Sequence, residues 1–314
     1  MDHSKAIDEL TTFADLPDLG FASLKHLGLI KVTGTQAVDF LQGQFTCDVV
    51  NLDQNTWCWG AHCDAKGKMI SCFRLFKQAD KIFLLLPQSL IRLQIEHLKK
   101  YAVFHQVNIE ACDIELRGIC GTDASAWLIQ HYDITGETLS LGEHYAILHA
   151  QDRAIIIDFS ASLPEVEYNL NTQIWQGLEI LNGYPLFEAA HQGQFVPQML
   201  NLDTLGGICL TKGCYIGQET IARMTYRGGN KRALYVLTGQ SQHTHTIGDS
   251  IEMQLEKGYR KAGEVLQIFQ NQHLCLLTAV MRNDVEHNMK FRFAHEDASE
   301  LGIHTQSSPS SSTL

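Results

Sequence analysis

Residues 211–237 read TKGCYIGQETIARMTYRGGNKRALYVL and hold the chain's clearest candidate for chemistry, a cysteine in a glycine-rich setting. Cys214 follows Lys212 by two residues, and Gly213 and Gly217 permit a tight backbone path. The thiolate is the reactive form of cysteine, and a nearby cation or the N-terminus of a following helix favours it. Two interpretations of Cys214 stay open: an accessible, activated thiol, or a small residue packed in a glycine turn.

A basic cluster follows this cysteine in a chain that is otherwise acidic, with a formal net charge of -11. Its members are Arg223, Arg227, Lys231 and Arg232. Such a cluster is either a solvated turn at a domain junction or a site for an anion, such as a carboxylate, a phosphate or an RNA backbone. The acidic total disfavours broad nucleic-acid binding, so we expect no DNA partner, while a local tRNA contact stays open.

The chain has nine cysteines, an odd number without the spacing of a disulfide framework, which indicates a reducing compartment. Cys58, Cys63 and Cys72 are separated by four and then eight residues, a pattern that matches no common zinc or iron–sulfur signature. We therefore predict no metal site. The sequence also lacks HExxH, Walker and GxGxxG motifs.

The N-terminal segment is polar and shows no basic region followed by an apolar core, so no signal peptide is expected. The longest apolar runs, such as residues 82–87, are too short to span a bilayer. We expect a cytoplasmic protein without membrane contact.

The first third of the chain predicts the order β-α-β-β-β-α, which favours α+β layers over a doubly wound sheet. Residues 27–34 form a strand-like run, and two further runs, 57–63 and 69–76, flank the turn sequence DAKGK. KIFLLLP predicts another strand. The helix that follows places Ile91, Ile95, Leu98 and Ala102 on one face.

The segment NTQIWQGLEILNGYP predicts a helix capped by Asn171 or Thr172, with an apolar stripe of Ile174, Leu178 and Leu181. From residue 231 onward only strand-like runs follow, which predicts a small antiparallel barrel or sandwich. We expect domains at 20–111, 112–228 (the second possibly interleaved with the first) and 229–300, and a disordered tail at 301–314.

KGCYIGQE, residues 212–219, resembles the signature of the YgfZ family of folate-binding proteins, which is related to the T-protein (aminomethyltransferase) of the glycine cleavage system. The resemblance covers roughly residues 24–289 in the same order. The other matching segments are FLQGQFTCDV, AHCDAKGKM, LKKYAVF, GQFVPQMLNLDTLGGI and RGGNKRAL.

The resemblance implies a T-protein-like α+β fold with a C-terminal antiparallel β-barrel and a tetrahydrofolate-type ligand in a central cavity. It implies that Trp175 accompanies the folate, and a flat pterin can stack on an indole. Trp175 lies one position off the predicted stripe, which allows it to face a cavity; a core tryptophan is the alternative. Where the family has a second tryptophan, this chain has Leu27.

The resemblance also implies a role in maintaining iron–sulfur enzymes and, through them, tRNA modification. Cys214 is then a functional thiol whose thiolate Lys212 favours. Gln218, Glu219 and Arg223 are expected to orient the loop and to contribute to the cofactor site. The expected partners are folate and iron–sulfur enzymes such as tRNA-modifying enzymes.

Catalysis is left open by the resemblance. T-proteins use an aspartate early in the helix that follows the strand corresponding to KIFLLLP, and this chain has Arg92 around that position. The only carboxylate of that helix is Glu96, and general acid–base catalysis requires hydrogen-bond reach. The alternative of a folate-dependent C1-transfer enzyme requires a carboxylate such as Glu96 or Glu179 in the pocket.

Overall fold

The computed structural model describes residues 16–134, 136, 138–150, 153–160 and 164–304. The N-terminal segment and most of the predicted tail lie outside these residues. The chain divides into two compact units. Of the described residues, those within Pro17–Asn169 and Phe187–Gly229 form the two-sheet unit, and the barrel unit contains Leu170–Leu186 and those from Asn230 onward.

The strands of the described residues are numbered in chain order: β1 Gly20–Ser23, β2 Leu27–Thr33, β3 Trp57–Cys63, β4 Met69–Gln78, β5 Lys81–Pro87, β6 Asn108–Cys112, β7 Leu116–Cys120, β8 Leu139–Leu141, β9 Tyr145–His149, β10 Arg153–Asp158, β11 Arg232–Gln240, β12 Ser250–Gln254, β13 Tyr259–Asn271, β14 Leu274–Arg282, β15 Lys290–Phe293 and β16 Glu300–Ile303. The helices are α1 Ala37–Gln42, α2 Ile91–Tyr101, α3 Ala124–His131, α4 Thr172–Leu181 and α5 Gln218–Tyr226.

The two-sheet unit contains two five-stranded antiparallel sheets. Their strand orders are β3-β4-β5-β2-β6 and β1-β7-β10-β9-β8. The predicted hairpin is confirmed, because β3 pairs antiparallel with β4. Its turn is held by Asp64, whose side chain accepts the backbone N–H of Lys66 and Lys68, and by Gly67 at a φ of 74°. This hairpin forms one edge of the first sheet.

Helix α2 differs from its predicted apolar face. Its buried residues are Ile91, Gln94 and Leu98, while Ile95 is only half-buried. A glutamine therefore occupies a core position that the 3.6-residue pattern assigns to isoleucine. This helix turn contributes a buried polar group to the interior of the two-sheet unit.

In the barrel unit, six antiparallel strands close in the order β11-β14-β13-β12-β15-β16. The structure thus decides for the barrel over the sandwich. Strand β16 completes the closure between β15 and β11, so the ordered chain continues past residue 300, where the predicted tail began. The barrel core includes Leu237, Ile251 and Phe293.

Helix α4 belongs to the barrel unit and contacts strands β13 and β14. The predicted cap is confirmed, because the Asn171 side chain accepts the backbone N–H of Gln173 at 2.9 Å. Among the described residues, no helix has the length and apolar character that a membrane crossing requires.

Candidate functional site

The loop that carries Cys214 lies along residues 43–47 of the two-sheet unit. The backbone N–H of Cys209 donates to the carbonyl of Thr46 at 2.8 Å, and that of Ile216 donates to the carbonyl of Gly43 at 3.2 Å. The Thr46 hydroxyl donates to the carbonyl of Gly207 at 2.6 Å. These long-range bonds fix both ends of residues 207–216, which we call the KGC loop.

Lys212 anchors the middle of the KGC loop and is only 9 % exposed. Its ammonium donates to the backbone carbonyls of Phe45 at 2.7 Å and Cys47 at 2.6 Å, and it lies 4.9 Å from the ring centroid of Tyr215. Burial lowers the pKa of Lys212. The expectation that this cation serves the Cys214 thiolate is corrected, since the ammonium points inward to main-chain oxygens instead.

Cys214 itself is exposed. The neighbouring Gly213 has open space where a side chain would begin. The thiol therefore lies at the surface, on a loop whose backbone and Lys212 side chain are hydrogen-bonded to residues 43–47. This placement meets the accessibility that thiol chemistry requires, and it disfavours the interpretation of a small residue packed in a turn.

Gly217 joins the KGC loop to helix α5 at a φ of 84°. A Cβ at this position would lie 2.5 Å from the carbonyl oxygen of Asp64 and 3.0 Å from the Cα of Gly67. Only glycine tolerates both the backbone angle and this approach. The turn of the β3–β4 hairpin and the start of α5 are thereby brought together, so two segments that carry the family resemblance meet here.

The polar residues of α5 face outward. Arg223 lies 3.9 Å from Glu219, and their side chains are 53 % and 94 % exposed. The one buried residue of the helix is Ile221, whose carbonyl accepts the Gln198 side-chain amide at 2.8 Å. Contact of Gln218, Glu219 and Arg223 with a cofactor stays a prediction.

The basic cluster is exposed at all its positions, but its members do not belong to one unit. Arg223 and Arg227 lie in the two-sheet unit, while Lys231 and Arg232 lie in the barrel unit. Each of the four side chains is accessible to an anionic partner.

Trp175 is completely buried, with 0 % of its surface exposed. On α4 the buried positions are Trp175, Gly177, Leu178, Ile180 and Leu181, while Ile174 is half-buried. Leu178 and Leu181 of the predicted stripe are buried, but Trp175 rather than Ile174 completes it, so the indole belongs to the buried face of the helix. Leu27 is also buried, at the start of β2 opposite Pro87.

The two-sheet unit also contains a buried polar cluster that the sequence patterns do not predict. The Gln94 side-chain oxygen lies 3.2 Å from His62 Nδ1 and accepts the Ser71 hydroxyl at 2.8 Å, and all three residues are fully buried. Burial lowers the pKa of His62 to about 4, so the ring is neutral at pH 7. His62 Nε2 and Gln94 Nε2 have no hydrogen-bond partner among the described residues. A histidine on a buried strand was the only sequence signal for this cluster.

Glu96, the carboxylate named for C1 transfer, lies on the outer face of α2. It accepts a hydrogen bond from Arg92 at 2.7 Å, and the two side chains are 50 % and 89 % exposed. This ion pair lowers the pKa of Glu96. A solvated, paired carboxylate is unsuited to proton transfer in a closed pocket.

The fold is that of the aminomethyltransferases of the glycine cleavage system. The solved structure of aminomethyltransferase T from Bartonella henselae matches with a TM-score of 0.75 and 15% sequence identity, covering 92% of this chain and 85% of that chain. This likeness confirms the predicted T-protein-like fold with its C-terminal barrel.

Sequence comparison defines the family more narrowly. The model of the YgfZ β-barrel domain matches residues 230–297. The tRNA-modifying protein YgfZ of Colwellia psychrerythraea is 37% identical over 289 residues, covering 88% of this chain and 89% of the relative. That of Photobacterium profundum is 37% identical over 297 residues, covering 90% and 89%. The chain belongs to the YgfZ family, as the resemblance predicted.

Proposed function

We propose that this protein binds a reduced folate and supports iron–sulfur enzymes and, through them, tRNA modification. The observation that carries the proposal is the near full-length match to relatives named tRNA-modifying protein YgfZ, on a fold like that of aminomethyltransferase T. Cys214 acts in this proposal as the functional thiol, because it is exposed on a loop that is rigidly anchored by Lys212.

A reduced folate needs hydrogen-bond partners for its pterin edge and an apolar or aromatic surface for its ring. In this proposal the ring stacks on Trp175 of the barrel unit, whose indole must become accessible before it can do so. The buried His62 Nε2 and Gln94 Nε2 of the two-sheet unit are a separate candidate site, since native proteins rarely leave such polar atoms without a partner. When bound, the folate supplies a one-carbon carrier.

The role of Cys214 is tested in cells that lack the native protein. We expect Cys214→Ser to restore an iron–sulfur-dependent tRNA modification only to a level near that of cells without any copy, because serine lacks thiolate chemistry. Cys209→Ser, five residues earlier and half-buried, is the matched control and should restore it. Full restoration by Cys214→Ser at equal protein abundance would remove the thiol from the proposal.

Direct tRNA contact is a second candidate function, favoured by the exposure of all four cations of the basic cluster. If it holds, purified protein shifts tRNA in a salt-dependent manner. Because each lost phosphate contact reduces the slope of log affinity against log salt by roughly 0.9, replacing the four cations with glutamine then reduces that slope by about 3.6. Glutamine at the exposed Lys99 and Lys100 serves as the control, and equal slopes for both variants would reject the cluster as the contact.

A further inference from the structure

Tyr226 is an aromatic residue that the two-sheet unit leaves in solvent. It is the last residue of helix α5, and it is 73% exposed. Its hydroxyl has no hydrogen-bond partner among the described residues. A single exposed apolar residue needs no explanation by itself, so the residues around this ring decide what it can bind.

The neighbours of Tyr226 on α5 are cationic. Arg223 precedes it by three residues and Arg227 follows it directly, and both side chains are exposed. The backbone N–H of Arg227 donates to the carbonyl of Arg223 at 3.0 Å, so the helical turn continues through position 227. Residues three and four apart share one side of a helix, which places Arg223 next to both Tyr226 and Arg227.

The turn of the β3–β4 hairpin adds a third cation to this side of α5. Gly67 of the turn packs on Thr220, because a Cβ at Gly67 would lie 2.9 Å from the Cβ of Thr220. Thr220 lies three residues before Arg223, on the same side of the helix. Lys66 adjoins Gly67 and is exposed. We call the surface formed by Lys66, Arg223, Tyr226 and Arg227 the α5 face.

The α5 face is cationic in spite of one carboxylate. Glu219 lies 3.9 Å from Arg223, and both side chains are more than half exposed. Such a solvated pair contributes little free energy, so an anionic ligand can displace Glu219 from Arg223. The three cations of the face outnumber this carboxylate on a chain whose formal net charge is -11. Anions are therefore attracted to this surface rather than to the chain as a whole.

The buried side of α5 holds the α5 face in position. Ile221 is 0% exposed, and its carbonyl accepts the side-chain amide of Gln198 at 2.8 Å. The same amide donates to the hydroxyl of Thr225 at 3.1 Å, directly before Tyr226. The ring and the arginines thus project from backbone that is already ordered, which reduces the entropy that binding costs.

We propose that the α5 face binds single-stranded RNA, with an unpaired base stacked on the Tyr226 ring and the neighbouring phosphates bound by the three cations. Guanidinium groups suit phosphate oxygens, and a tyrosine ring between two arginines suits a base, because every base has a flat aromatic face. The loops and ends of a folded RNA present unpaired bases, whereas a duplex hides their faces. This inference rests on the direct tRNA contact named above as the second candidate function, and it specifies which part of a tRNA is contacted.

Fluorescence anisotropy with the purified full-length protein tests the proposal. The probes are a short labelled single-stranded RNA and the same strand annealed to its complement. We expect the single strand to bind more tightly than the duplex by about fivefold or more, because only the single strand can stack a base. Tyr226→Leu should weaken binding of the single strand by about fivefold or more, while Tyr226→Phe should keep the affinity within about twofold.

The salt dependence of binding separates the phosphate contacts from the stacked base. Arg223→Gln and Arg227→Gln should each reduce the slope of log affinity against log salt by roughly 0.7 for the single strand. Tyr226→Leu should leave this slope unchanged, because it removes no charge. Phe104→Leu is the matched control, since Phe104 is an aromatic residue of the same unit that is 94% exposed. This variant should keep the affinity within about twofold.

Three outcomes overturn the proposal: Tyr226→Leu binds the single strand as tightly as the unsubstituted protein, the duplex binds as tightly as the single strand, or polyglutamate displaces the RNA as effectively as unlabelled RNA does. The last outcome would assign the α5 face to acidic proteins. Salt-dependent tRNA binding that Tyr226→Leu leaves unchanged would retain the direct tRNA contact and reject only the stacked base. Absence of binding to tRNA and to both probes would reject the two together.

Discussion

Acidification from pH 7.5 to pH 5 is expected to lower the free energy of unfolding by about 4 kcal/mol through two buried histidines alone, His62 and His191. Burial lowers the pKa of each ring to about 4, from 6.5. His191 Nδ1 also lies 2.9 Å from the backbone N–H of Glu188, which requires an acceptor nitrogen. Both rings are therefore neutral in the folded protein at pH 5 and above.

The sign follows from the proton balance. Between pH 6.5 and pH 4 the unfolded chain binds protons at these two rings and the folded chain does not, so stability falls as the pH falls through this window. At pH 5 each ring lowers the free energy of unfolding by about 2 kcal/mol. This value follows from the difference between the pKa of the ring in the unfolded chain and its pKa in the folded chain. The carboxylate of Glu296, with a pKa of about 2, adds a loss in the same direction below pH 4.5.

Urea unfolding at a series of pH values measures this effect, followed by circular dichroism. His62→Asn and His191→Gln should each reduce the loss of stability between pH 7.5 and pH 5 by about 2 kcal/mol, because each variant deletes one titrating ring. His287→Gln, at an exposed position, is the control and should retain the full dependence. If the free energy of unfolding of the His62 and His191 variants depends on pH as steeply as that of the unsubstituted protein, these two rings do not cause the pH dependence.

Replacing Lys212 with methionine is expected to destabilise the two-sheet unit by about 3 kcal/mol, because two buried carbonyls lose a charged donor. Those acceptors belong to Phe45 and Cys47. Methionine preserves the apolar length of the side chain, so the loss reports the hydrogen bonds rather than a cavity. Urea unfolding measures the change in the free energy of unfolding. Hydrogen exchange of the amides of Cys209 and Ile216 measures the local effect in the KGC loop.

Lys77 provides a closely matched control. Its ammonium also donates to two carbonyls, those of Val50 at 3.1 Å and Leu52 at 3.3 Å, but the first bond is exposed and the second is only partly buried. Water replaces the lost donor there, so Lys77→Met should cost less than about 1 kcal/mol. Equal destabilisation by the two variants, or unchanged exchange in the KGC loop of Lys212→Met, would contradict the anchoring role.

Much of the fold was predictable because its signals are local. DAKGK predicts the hairpin turn, since Asp64 and Gly67 supply the hydrogen bonds and the positive φ that such a turn requires. Asn171 predicts the start of α4 because its side chain can accept a backbone N–H of the first helical turn. The run of alternating strands after residue 231 predicts an antiparallel unit, and only the pairing of β11 with β16 decides for closure.

The site was less predictable, because its contacts join residues far apart in sequence. Nothing near Lys212 indicates that its ammonium binds the carbonyl of Phe45, 167 positions away. The burial of Gln94 follows from its partners on β3 and β4, which helix periodicity alone does not contain. The one-position error at Trp175 has a similar cause, since packing against the barrel determines which face of α4 is buried.

Calorimetric titration of the full-length protein with tetrahydrofolate tests whether this protein binds a reduced folate. We expect saturable binding that Trp175→Phe weakens by about fivefold, equivalent to about 1 kcal/mol of stacking, while the buried control Trp59→Phe leaves the affinity within about twofold. Phenylalanine is preferred to alanine because Trp175 is fully buried and truncation would unfold the site. Saturable binding unaffected by Trp175→Phe but lost in Gln94→Leu would move the ligand to the two-sheet unit. No saturable binding to the unsubstituted protein would contradict the folate proposal.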